Sequence, residues 1–143
     1  MTYAFWDTNL FIYLLDSHSQ FRSPVSTLRR KMLATGVDLV TSTMTLGEVM
    51  TGPRKNNQES LAQKYQAAIS QTATIVSLDE KAADLYSRIR ATHRVKQPDA
   101  IQLACAAAHG VELFVTNDGE LSKLRIPGIH FIVSIQTALQ LIN

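Results

Sequence analysis

Apolar residues recur along this chain with two alternating periods, and each change of period separates a strand from a helix. Tyr3 to Trp6 is a short aromatic run ending in Asp7-Thr8-Asn9, and Leu10 to Leu15 continues at helical spacing. This predicts a strand followed by a helix that Asp7 or Thr8 can cap. Ser23-Pro24 opens a second helix through about Ala34, with proline at a tolerated first-turn position, and Gly36 ends it. Val37 to Val40 reads as a strand, then Thr41-Ser42-Thr43 leads into a helix from about Met44 to Met50, which Gly52-Pro53 should stop. Glu59 to Ser70 is amphipathic, with Leu61, Tyr65, Ala68 and Ile69 along one side, and Thr74 to Val76 is a third strand. Ser77 to His93 carries a capped helix with Ala82, Leu85, Tyr86 and Ile89 inward. Gln97-Pro98-Asp99 begins a helix that runs apolar through Ala108 and ends at His109-Gly110. Glu112 to Val115 is a fourth strand, closed by Thr116-Asn117-Asp118-Gly119. Ile129 to Val133 is a fifth, after which Ser134 caps a terminal helix through Leu141. Strands separated by helices of this length predict a three-layer α/β/α sandwich around a mainly parallel, roughly five-stranded sheet.

Composition narrows this picture without changing it. A chain of 143 residues, 45% hydrophobic and 18% charged, fits one domain over residues 1–143 and can bury a core without staples. Cys105 is the only cysteine, so no intramolecular disulfide can form, and its setting in Ala104-Cys105-Ala106-Ala107-Ala108 reads as a small buried hydrophobe. That is compatible with a reducing cytoplasm. The start, Met1 to Asp7, has no basic region before its apolar residues, and no apolar stretch is long enough to span a bilayer. The expectation is a soluble cytoplasmic protein with no membrane partner. A net charge of +2 does not by itself single out a nucleic-acid binder. The basic residues do fall in clusters, including Arg29-Arg30-Lys31, Arg94 with Lys96, and Lys123 with Arg125. Each is explained by a solvated face unless the fold brings several to one side.

The acids carry the chemistry. Asp7 ends the first strand, Asp118 follows the fourth, Glu48 lies on the helix after the second, and Asp99 opens the helix before the fourth. Ligand sites of open parallel sheets gather beyond the carboxyl ends of the strands, where Asp7 and Asp118 must sit and towards which Glu48 can lean. Where Asp99 lies depends on packing. Crowded carboxylates raise one another's pKa, and a divalent cation removes that penalty. All-oxygen ligands suit Mg²⁺ or Mn²⁺, which can lower the pKa of a bound water and neutralise charge on a phosphodiester. No zinc-like set competes, because His18, His93, His109 and His130 are dispersed. Each acid also has a structural explanation. Asp7 and Asp99 could be N-caps, Glu48 a solvated helix residue and Asp118 a turn residue. Glu48 lies among Leu46, Val49 and Met50, an apolar setting in which an acid needs a reason.

The order of these acids resembles the PIN-domain ribonucleases, in particular the VapC-like toxins of type II toxin–antitoxin systems. The resemblance covers nearly the whole chain. It rests on Phe5-Trp6-Asp7-Thr8-Asn9-Leu10-Phe11-Ile12, on Thr43-Met44-Thr45-Leu46-Gly47-Glu48-Val49 before Gly52-Pro53, on Pro98-Asp99-Ala100-Ile101-Gln102-Leu103-Ala104, and on Val115-Thr116-Asn117-Asp118. It implies that Asp7, Glu48, Asp99 and Asp118 bind Mg²⁺ or Mn²⁺ and that the substrate is RNA. Thr8, Asn9 and Thr116 would orient carboxylates or the attacking water, and Arg94 and Lys96 would position the RNA backbone. The expected reaction is in-line attack of water on a phosphodiester, leaving a 5′-phosphate and a 3′-hydroxyl. Gly119-Glu120-Leu121 departs from the family pattern and leaves open whether Glu120 joins Asp118 in the site.

The resemblance also implies an antitoxin partner and a homodimer, for which helix faces near Leu28, Met32 and Leu61 are candidates, although core packing explains them equally well. A housekeeping RNA-processing nuclease would carry the same site, and a non-catalytic binding module could keep the fold. A flavodoxin-like or receiver module fits less well. It would want a glycine-rich phosphate loop, or a lysine placed after the last strand, and neither is present.

Overall fold

Burial on both faces is what the strands demand, since their apolar residues alternate without a polar face. The computed structural model describes all residues, Met1–Asn143. In chain order the elements are β1 (Tyr3–Trp6), α1 (Thr8–Leu15), α2 (Arg22–Thr35), β2 (Asp38–Ser42), α3 (Thr43–Lys55) and α4 (Glu59–Thr72). There follow β3 (Thr74–Val76), α5 (Glu80–Thr92), α6 (Gln97–His109), β4 (Val111–Val115), a 3₁₀ turn at Leu121–Lys123, β5 (Ile129–Val133) and α7 (Ile135–Leu141). The five strands form one sheet in the order β3-β2-β1-β4-β5, and every pairing is parallel. The three-layer expectation holds.

Alternation along each strand feeds two cores. Ala4 and Trp6 of β1 join Leu113 and Val115 of β4 on one face, with Leu10, Leu28, Met32, Val49, Ile69 and Ala138 from α1–α4 and α7. Phe5 and Phe114 point to the other face and meet Ala82 and Ile89 of α5 and Leu103 and Ala104 of α6. Their rings stack at 5.0 Å, 9° from parallel. Leu28 and Met32 are fully buried in the first core, so core packing, the alternative reading of these two residues, is the one that holds, while Leu61 is only partly buried.

Local rules explain most boundaries and fail at a few. Asp7, Ser42, Asp79 and Ser134 cap their helices with side-chain oxygens, and Gly36 and Gly110 end helices in the left-handed conformation. Gly52-Pro53 does not stop α3, which continues to Lys55 with Pro53 inside it. Proline costs that turn one backbone bond. The Pro53 ring is buried, and its carbonyl accepts from Gln58 N at 2.8 Å, so packing and the next turn offset the loss. The helix expected from Ser77 starts at Glu80, because Asp79 rather than Ser77 accepts from Ala82 N. On α4, Ala62 and Ile69 are the buried residues and Ala68 is exposed.

Cys105 lies on α6, 1% exposed, and burial pushes its thiol up to about 11. Thiolate is the reactive form. Iodoacetamide at pH 8 should therefore leave the native thiol unmodified and label it rapidly in denaturant. Mass spectrometry reads both, and fast native labelling would contradict this placement.

Candidate active site

The strand order determines where a site can form. The connection after β1 leads to the β2 side, whereas the connection after β4 leads to the β5 side. The chain thus parts in opposite directions between β1 and β4, which opens a crevice beyond their carboxyl ends. Asp7 follows β1 directly and Thr116 to Asp118 follow β4. Asp7 N donates to Val115 O at 3.0 Å, which ties the two strand ends together.

Asp7 is only 7% exposed. Its Oδ1 accepts from Thr8 N at 2.9 Å and its Oδ2 from Thr116 Oγ1 at 2.8 Å. Burial pushes its carboxyl above the ordinary range. The hydrogen bonds from Thr116 and Thr8 pull it back, and the charge of Glu48 adds to the rise. It caps α1 and lies at the mouth of the crevice at once.

Asp99 is not a cap, since Lys96 holds that position and Asp99 lies in the first turn of α6. Burial raises its pKa, and so, in order, do the negative charges of Asp7, Asp118 and Glu48, with Lys96 acting against them. The packing of α6 thus carries Asp99 into electrostatic reach of the other three acids. Glu48, on α3, accepts from Thr8 Oγ1 at 2.6 Å. Asp118 takes Glu120 N at 2.9 Å on its Oδ1, while its own N–H donates to Thr116 Oγ1 at 3.1 Å. Glu120 turns to Lys123, 3.1 Å away, and is not among the charges that raise Asp99.

Beside the acids is a layer of buried polar groups of which the sequence singled out only Thr8. Thr41, Ser42, Thr45, Thr8 and Gln102 are all buried. Thr41 Oγ1 donates to Trp6 O or Thr45 Oγ1, at 2.9 and 2.8 Å, Ser42 Oγ to Gln102 Oε1, and Gln102 Nε2 to Thr45 Oγ1 and Thr8 Oγ1, at 2.8 and 3.1 Å. The signal for Gln102 was present as one amide inside an otherwise apolar helical run. Of the remaining expected residues, Thr8 and Thr116 hold carboxylates as described, but Asn9 does not. Its Oδ1 is buried without a partner. Arg94 and Lys96 are exposed on the segment leading into α6.

Do these residues suit a cation? The donor set is all carboxylate, and the three ion pairs, Arg54–Glu59, Arg88–Asp84 and Lys123–Glu120, leave all four acids without a salt-bridge partner. Repulsion among them is therefore opposed by the chain only through the more distant charge of Lys96, which fits a hard divalent ion. No three acid, His or Cys side chains form a ready-made cage. Mg²⁺ keeps several waters and needs only one or two direct carboxylates, so a looser cluster still serves it.

Known structures share this architecture. VapBC2 from Rickettsia felis, bound to a DNA fragment from its promoter, matches with TM-score 0.74 and 17% identity over 93% of this chain and 98% of that one. A toxin–antitoxin complex from Klebsiella pneumoniae is 28% identical, with TM-score 0.65 over 88% and 94%. VapC20 of Mycobacterium tuberculosis, a Sarcin-Ricin loop cleaving toxin, gives 16% identity and TM-score 0.68 over 87% and 97%. No curated protein matches the chain. The PIN domain model matches residues 4–127, from β1 to the loop before β5, a span that holds all four acids. With its parallel sheet and with acids at the switch point between β1 and β4, the chain belongs to the PIN domain family.

Proposed function

We propose that this chain is a Mg²⁺- or Mn²⁺-dependent endoribonuclease, formed as one domain and acting in the cytoplasm as the toxin of a toxin–antitoxin pair. One observation carries the reading: Asp99 feels the charges of Asp7, Asp118 and Glu48 together, with no salt bridge to any of the four. Asp7, Glu48, Asp99 and Asp118 would hold the ion, which when bound supplies a water of lowered pKa and neutralises charge on the phosphodiester. Thr116 and Thr8 keep the Asp7 and Glu48 carboxylates aimed by donating to them. Arg94 and Lys96, exposed beside Asp99, are placed to contact RNA phosphates.

Likeness to toxin–antitoxin complexes supports an antitoxin partner. An apolar groove of about 170 Å³ lined by Ile12, Leu15, Val49, Pro53 and Tyr65 runs beside Glu48 and offers such a partner a surface near the site. No helix is long and apolar enough to cross a membrane. Assembly as a homodimer is part of the proposal and is read by sedimentation.

Purified protein with Mn²⁺ should cut structured RNA into fragments with 5′-phosphates, and EDTA should stop it until Mn²⁺ is restored. Calorimetry should show saturable Mn²⁺ binding, and its absence would favour a non-catalytic module. Expression should arrest growth, with rescue by the neighbouring small gene. Tolerated expression of an active enzyme would point to RNA processing instead.

A further inference from the structure

Gln102 is 1% exposed and sits on α6 among alanines and leucine, where an apolar side chain of similar volume would avoid all desolvation cost. It lies three residues after Asp99, so both share one helix face. Its bonds have a direction that proton counting determines. Ser42 Oγ accepts from Met44 N at 3.1 Å and gives its own proton to Gln102 Oε1. The amide nitrogen then faces Thr45 Oγ1 and Thr8 Oγ1, at 2.8 and 3.1 Å, one proton for each. Thr8 has a single proton, and the Glu48 carboxylate 2.6 Å away can only accept it. With the amide reversed, Thr45 could donate to the amide oxygen, but Thr8 would face that oxygen at 3.1 Å with its one proton already drawn to Glu48. The relay therefore runs from Gln102 through Thr8 to Glu48, across α6, α1 and α3.

We infer that Gln102 is a positioning residue of the acidic site, its amide committing the Thr8 hydroxyl to Glu48 and so fixing how that carboxylate is presented beside Asp7 and Asp99. This rests on the nuclease reading above for its catalytic consequence, but not for its geometry. A purely structural glutamine would fill space and bind its neighbours without setting the Glu48 carboxylate.

The test uses Gln102→Met, which keeps the volume and removes the donors, with Gln102→Glu, which keeps the shape but supplies at most one proton where the amide supplies two and so cannot serve both Thr45 and Thr8. In metal-free Gln102→Met protein, the ¹³C signal of the Glu48 carboxyl should move to the position of a solvent-averaged glutamate. Mn²⁺ affinity should fall about 10–100-fold, as when a ligand-orienting partner is lost. kcat on RNA should fall with KM unchanged, and Gln102→Glu should lose at least as much. If Gln102→Met does not fold, the wild type decides. Its Gln102 amide protons should exchange slowly and shift on Mg²⁺ addition, and fast exchange would overturn the inference. An unmoved Glu48 signal together with wild-type Mn²⁺ affinity in a folded Gln102→Met protein would also overturn it. A wild type that binds no Mn²⁺ and cuts no RNA would remove the nuclease reading alone, and the Glu48 signal would still decide the role of Gln102.

Discussion

Asp7→Asn and Asp99→Asn are each expected to lower RNA cleavage by at least about 100-fold, beyond the 10–100-fold typical of residues that merely orient ligands, while both proteins stay folded. Both carboxyls are raised by burial, and the consequence for stability is larger at the more buried Asp7. Asp7 is buried with its pKa raised, first by burial and also by Glu48, so the folded state binds its proton more readily than the unfolded chain does. Such a group stabilises the fold when protonated, and that contribution is lost as pH rises through its folded pKa. At neutral pH without metal, ionised Asp7 is therefore a cost. Asparagine removes the charge and keeps a carbonyl for Thr8 N. Metal-free Asp7→Asn should melt no lower than wild type at neutral pH, with any advantage shrinking as the pH is lowered. Added Mn²⁺ should reverse the order, because only an intact acid set gains stability by binding the ion. Melting curves with and without Mn²⁺, run beside the cleavage assay, check both halves. Undiminished cleavage by both variants would sink the assignment and point to a contaminant.

How much of this could be read in advance varies residue by residue. Asp7-Thr8-Asn9 was legible because strand end, helix cap and acid coincide in three consecutive residues, a local pattern that tertiary packing does not disturb. Asp99 was legible as a helix-opening acid, but its approach to Asp7 and Asp118 depends on α6 lying over the sheet, which no local rule supplies. Which of Asp118 and Glu120 lies in electrostatic reach of Asp99 was not legible at all. It follows from Glu120 turning to Lys123 on the 3₁₀ turn while Asp118 closes its own turn beside Thr116. Strand order was hidden for the same reason, since periodicity identifies strands but not their neighbours. Pro53 misled because breaker rules describe isolated helices, and here burial of the ring outweighs one missing bond. Gln102 was passed over because a helix read for its apolar content averages away its single polar member. Such exceptions to a local pattern cluster where chemistry is done.

Phe114→Ala is expected to be the most damaging substitution for stability, costing about 3–5 kcal/mol. The ring is fully buried on β4, stacked on Phe5 and packed in the core that holds α6 to the sheet. Truncation removes its apolar burial and leaves a cavity between two layers that cannot collapse without moving α6. A domain of this size carries only about 5–15 kcal/mol in total, so the melting temperature should drop by on the order of 10–20 °C. Phe131→Ala is the matched control. Phe131 lies on the edge strand β5 and is 61% exposed, so its loss should stay within about 0.5 kcal/mol. Because the Phe114 cavity lies under the helix that carries Asp99 and Gln102, the folded fraction of Phe114→Ala should also bind Mn²⁺ more weakly, whereas Phe131→Ala should bind it as wild type does. Denaturant midpoints and calorimetry on the pair measure both effects. Equal stability of the two variants would mean that the second core does not hold α6 in place, and the account of how Asp99 reaches the other acids would fail with it.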